Sequence, residues 1–92
     1  MRIEWTEPAE DQLAKIHEDL ARRSRTRADA VIERITERLR QLAEYPYSGA
    51  TYGPAEPIHI RYIPEGAYRI FYVVGKNHVH VIAVVHTSRK LF

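Results

Sequence analysis

Four side chains in the second half of this 92-residue chain are of the types that handle a phosphodiester: Arg61, Arg69, His86 and Arg89. Arginine stays charged and its planar donors grip phosphate oxygens, so it stabilises developing negative charge but cannot readily act as a base. Histidine, with an intrinsic pKa of about 6.5, can serve as acid or base. Cleavage of RNA through its 2′-hydroxyl requires a base for that proton, cations for the charged phosphorane and an acid for the leaving oxygen. Arg61 and Arg69 fall in neighbouring apolar runs where they could share a face, and His86 closes the next run, in "VVHTSRKLF". The same residues also have ordinary uses. The arginines could pair across strands with Glu56 or Glu65, or lie over Tyr62 and Phe71, while His86 simply ends a strand.

Other chemistries find less support. The chain contains no cysteine, so it has neither a disulfide framework nor a thiolate zinc site, in keeping with a reducing cytoplasm. His78 and His80 share a face as H-x-H, a two-ligand beginning for zinc, but spacing specifies no third ligand and no metal or other cofactor is expected. Ser24, Ser48 and Ser88 lie in no nucleophile elbow, and no glycine loop suited to phosphate is present. The run "RRSRTR" could touch nucleic acid, although arginines at a helix end meet the helix dipole favourably without one. The net charge of +2 hides an asymmetry. Residues 1–45 carry nine Arg/Lys against ten Asp/Glu, and residues 46–92 carry five against two, so basicity gathers in the second half. No apolar run approaches the roughly 20 residues of a membrane span, and the charged start does not read as a signal peptide. A cytoplasmic protein of one domain, residues 1–92, is expected.

The elements that position these residues can be read from periodicity. "MRIEWT" alternates Met1, Ile3 and Trp5 against Arg2 and Glu4, the pattern of a half-buried strand. Thr6 can cap a helix with Pro8 in its first turn, and Ala9, Leu13, Ile16 and Leu20 form its apolar stripe. Thr26 with Asp29 resembles a capping box for a second helix, whose stripe of Ala28, Val31, Ile32, Ile35, Leu39 and Leu42 runs until Pro46 stops it. After the turn-rich "PYSGATYGPAEP" come three β-rich runs, 58–63, 68–74 and 78–86, joined by short glycine-containing links that read as hairpins. The predicted fold is α+β, in the order β-α-α-β-β-β, with an antiparallel sheet and a two-helix hairpin on one face. Both faces of the last two strands are apolar. One is left for a partner, or for the turn-rich segment to cover.

Taken in order, these pieces resemble the RelE/ParE superfamily of toxins from type II toxin-antitoxin pairs. The resemblance rests on "IEWTEPAEDQL", on L-x-x-x-P-x-x-G at Leu42, Pro46 and Gly49, on "IRYIPEGAYRIFYVV", and on V-x-V-x-x-V-V-H-x-x-R from Val79 to Arg89. The hairpin and the VxHxxR ending are more similar to the ParE branch, which implies DNA gyrase as target and a cognate antitoxin as neutralising partner. The RelE branch would instead imply ribosome-dependent cleavage of mRNA, with Arg69 aligned to a functional arginine and Arg61, His86 and Arg89 beside it. A non-toxic binding module on the same fold is a third possibility. The tyrosine or lysine cluster that RelE-type enzymes carry after the last strand is missing, since only Lys90 follows Arg89. On the ParE reading, Arg61, Arg69, Arg89 and Lys90 contact the target. Phe71, Val73, Ile82 and Val84, on the second face of the sheet, receive the antitoxin.

Overall fold

A computed structural model describes residues 1–89, so Lys90 lies outside the described residues. The elements are β1 (Arg2–Trp5), α1 (Glu7–Ala21), α2 (Arg25–Glu44), β2 (Ala50–Tyr52), β3 (Ile60–Glu65), β4 (Tyr68–Val74) and β5 (His78–His86). They form a five-stranded sheet in the order β1-β5-β4-β3-β2, with the two helices against it. The α+β class and the helix hairpin agree with the sequence reading. Two features extend it: β2 is an additional strand inside the turn-rich segment, and β1 pairs with β5 in parallel, so the sheet is mixed.

Thr6 does two jobs at the start of α1. Its Oγ1 accepts from the Ala9 amide at 3.3 Å, capping the helix, and donates to the Val81 carbonyl at 3.1 Å. The Thr6 amide reaches the same carbonyl at 3.0 Å, so the end of β1 is fastened to β5 as the helix begins. Thr6→Ala is expected to cost about 1–2 kcal/mol, measurable by denaturant melts. The second helix is capped differently from the expectation. Ser24, extended at φ −158°, accepts from the Arg27 amide, while Thr26 lies within the first turn. Both residues can cap, but Ser24 sits at the end of the Arg22–Arg23 turn, where the chain is already extended.

The core lies between the hairpin and one face of the sheet. Ala9, Ile35, Leu39 and Leu42 from the helices meet Ile63, Ile70, Tyr72, Val79, Val81 and Val84 from the strands. Strict alternation would put Val84 on the face opposite Val79 and Val81. The register shows why it is not there: Phe71 pairs with Ala83 and Tyr72 with Val81, leaving Ile82 as an extra residue in a bulge. Beyond the bulge the parity of β5 reverses. Val84 turns towards the helices, and Ala83 and Val85 turn away with Phe71 and Arg69.

Candidate functional site

The expected constellation of Arg61, Arg69, His86 and Arg89 does not assemble. Arg61 is paired with Tyr72, a core residue, and so lies on the helix side of the sheet. Arg69 is paired with Pro64 and Val85 and lies on the opposite side, three residues further back along β4. The expectation that the two arginines share a face is therefore overturned by register: residues an odd number of positions apart along a strand point to opposite faces. His86, paired with Tyr68 across the sheet, is on the helix side of β5 and packs edge-on to the Tyr68 ring at 5.8 Å.

Each arginine has structural work. Arg61 Nη1 donates to the carbonyls of Gly49 (2.9 Å) and Tyr47 (3.3 Å), and its guanidinium lies 5.3 Å from the Tyr47 ring centroid. Arg69 Nη2 donates to the carbonyls of Thr87 (3.2 Å) and Arg89 (2.7 Å), which ties the segment after β5 back onto the sheet. Its guanidinium stands 5.7 Å from both the Tyr62 and Phe71 ring centroids, the stacking that was the ordinary alternative for this residue. Its Nε is buried without a hydrogen-bond partner among the described residues. Donors spent on main-chain carbonyls in this way are not aimed at a phosphate.

His86 is committed too. The Ser88 amide donates to His86 Nδ1 at 3.1 Å, and Ser88 Oγ lies 2.8 Å from the same nitrogen. An Nδ1 that accepts an amide proton leaves the proton of the neutral ring on Nε2. The Thr87 amide donates to the Ala67 carbonyl and the Arg89 amide to the His86 carbonyl, so the chain after β5 is a tight turn. From that turn the Arg89 side chain is exposed.

His86 and Arg89 do share one feature, a cleft of about 910 Å³ between α1 and the end of β5. Its apolar floor includes Ile16, Leu20, Tyr68 and Val84, and its rim carries Lys15, Arg23, Arg27 and Arg89 against Asp11 and Asp19. The cleft exists because β1 ends at Trp5, opposite Val81, so the outer edge of β5 beyond that point has no strand beside it. α1 crosses there, and Gln12 Oε1 accepts the Val84 amide at 2.8 Å.

The four residues expected to receive a partner on the second face divide in the same way. Val84 is 2% exposed and belongs to the helix-side core. Phe71 is fully buried beneath Tyr52 and Tyr62, at centroid distances of 4.9 and 5.6 Å. Tyr52 comes from β2, so the turn-rich segment does cover much of this face. Val73 and Ile82 remain half-buried.

The L-x-x-x-P-x-x-G stretch now has a physical basis. Leu42 is in the core, the Pro46 carbonyl accepts from the Tyr72 hydroxyl at 2.8 Å, and the Gly49 amide donates to that hydroxyl at 2.9 Å. Burial pushes the Tyr72 phenol above its ordinary value of 10.0, partly offset by the Gly49 amide and the charges of Arg61 and Arg38. A model of the family described as "ParE toxin of type II toxin-antitoxin system, parDE" matches residues 3–91. The chain belongs to the ParE toxin family. Among solved structures it is similar to a chain of the "Chromosomal ParDE TA system from P. aeruginosa", at 17% identity and a TM-score of 0.77, covering 94% of this chain and 95% of that one. At that identity the likeness speaks for the ParE fold alone. No curated protein sequence matches this chain. The protein is thus the toxin of a type II pair, and a toxin of this kind has an antitoxin partner. No helix among the described residues is long and apolar enough to cross a membrane.

Proposed function

We propose that this ParE-family protein inhibits growth by binding DNA gyrase, and that its cognate antitoxin neutralises it. The family match across residues 3–91 carries the reading. The division of Arg61 and Arg69 between opposite faces, each holding main-chain carbonyls, favours a binding toxin over the RelE-type alternative of ribosome-dependent mRNA cleavage. In this reading Arg61 and Arg69 support the target contact by shaping the surface. Arg89, exposed beyond β5, touches the target directly together with Lys90.

In this reading the antitoxin docks in the cleft between α1 and β5. Four cations against two carboxylates on its rim suit an acidic segment, and Ile16, Leu20 and Val84 offer the apolar floor on which such a segment could fold. Val73 and Ile82 provide a smaller second contact on the far face.

Purified protein is expected to block supercoiling by purified gyrase, with Arg89→Ala weakening the block at unchanged thermal stability. Translation-coupled cleavage of mRNA with gyrase activity intact would overturn this in favour of the ribonuclease. Unimpaired growth on clean induction, with soluble protein in the cell, would leave only the non-toxic module.

A further inference from the structure

We propose that Glu4, His78 and His80 form a binding site for a divalent transition-metal ion of the zinc class, on the sheet face turned away from the helices. The sequence supplies the H-x-H pair but places the third donor, Glu4, more than 70 positions away. Parallel pairing of β1 with β5 closes that gap, because the register sets Glu4 opposite His80 and Arg2 opposite His78. All four side chains therefore share one face, and the two histidine rings stand 5.8 Å apart, centroid to centroid.

The donor geometry is close to what a metal requires. Glu4 Oε1 lies 3.0 Å from His78 Nε2, and Glu4 Oε2 lies 3.7 Å from His80 Nδ1. One donor atom from each of the three residues falls within 4.8 Å of the others. Ligands held at about 2.0–2.1 Å in a tetrahedron stand roughly 3.3–3.4 Å from one another, and the two carboxylate-to-imidazole separations, each made by a different oxygen of Glu4, fall on either side of that value. Two imidazoles and one carboxylate suit zinc, nickel or cobalt rather than a soft ion bound by thiolates, or a hard ion such as magnesium that prefers oxygen alone. Three protein ligands leave an open position for water.

The turn between β4 and β5 fixes the site. Its Gly75 amide donates to the His78 carbonyl at 2.7 Å, and a Cβ at position 75 would fall 2.7 Å from His80 Nε2. The missing side chain lets the His80 ring lie against the backbone of the turn. His78 and His80 are partly shielded and Glu4 is exposed, so the site is open to ions from solution. Arg2, exposed on the same face opposite His78, is the one unfavourable neighbour that the register places there. A bound ion would join the edge strand β1 to β5 and so stabilise the folded state.

The test uses untagged protein and cobalt(II), followed by absorption in the visible range, then zinc displacement. One equivalent is expected to bind. His78→Ala, His80→Ala and Glu4→Gln should each weaken it more than about tenfold, since even changes behind a ligand cost 10–100-fold in affinity. His59→Ala should leave it unchanged. With zinc at a hundredfold excess over its Kd, the thermal midpoint of the wild type should rise by roughly 10–20 °C, and that of the three variants should not. The three variants alter partly or fully exposed side chains, and circular dichroism checks their folding; if one does not fold, the other two decide. Absence of cobalt binding up to millimolar concentration would overturn the proposal. So would binding of equal strength in every folded variant, which would put the ion elsewhere, such as at His17 or His86.

Discussion

Phe71→Ala is expected to destabilise the isolated protein by about 3–5 kcal/mol, the range for removing a fully buried aromatic ring, and to lower its thermal midpoint by more than about 10 °C. The ring is 0% exposed although it lies on the face away from the helices. Tyr52 stands over it edge-on, Tyr62 tilts against it, and the Arg69 guanidinium lies 5.7 Å from its centroid. These four residues form a small second core on the outer face. Removal of the ring deletes the Tyr52–Phe71 ring contact and so weakens the hold of β2 on the sheet. A docking residue would behave in the opposite way, with near-neutral stability in the free protein and loss only in the complex. A thermal melt of the toxin alone, beside an affinity measurement with its antitoxin, distinguishes the two. Unchanged stability with weakened antitoxin binding would return Phe71 to the interface.

That second core explains which parts of the fold were legible in the sequence. Helical stripes and alternating strands are local signals, so α1, α2 and the β3-β4-β5 meander could be read, as could the Thr6 cap. β2 is only Ala50–Tyr52, with no apolar run of its own, and it exists because the edge of β3 is there to pair with. The partner of β1 lies more than 70 residues away, and no pattern within "RIEW" says whether it will pair parallel or antiparallel. A single bulge at Ile82 was enough to misplace Val84, because every residue beyond it changes face. The same counting of odd and even positions separates Arg61 from Arg69. Residue types suitable for phosphate chemistry were visible in the sequence, but whether they converge depended on register, which no stretch of the sequence states.

Gly49→Ala should be among the most damaging small substitutions in the molecule, and Tyr72→Phe should cost less in its presence than it does alone. A Cβ at position 49 would fall 2.4 Å from the Tyr72 hydroxyl, 2.7 Å from the Tyr62 carbonyl oxygen and 2.9 Å from Tyr72 Cε1. The backbone oxygen cannot swing aside, so the loop must move, and overpacking of this kind costs about 1–3 kcal/mol before the hydrogen bonds of the loop are counted. Displacement also breaks the Gly49-to-Tyr72 bond and the Arg61-to-Gly49 bond. Tyr72→Phe alone strands the buried Gly49 amide and the Pro46 carbonyl, at about 1–3 kcal/mol. Combined with Gly49→Ala it removes the closest clash, and of the two hydrogen bonds it deletes the one to the Gly49 amide is already broken, so the double variant should be clearly less destabilised than the sum of the two single ones. Additivity in denaturant melts would show that the hydroxyl and the glycine are not one device. The same hydroxyl links stability to pH. Because burial raises the Tyr72 pKa, the folded state keeps a proton that the unfolded chain loses near 10.0. Its contribution is complete below that pH and is lost as pH rises through the folded value. The stability advantage of wild type over Tyr72→Phe should therefore be constant at neutral pH and shrink above about pH 10, where an unchanging difference would mean that Tyr72 ionises as freely in the fold as outside it.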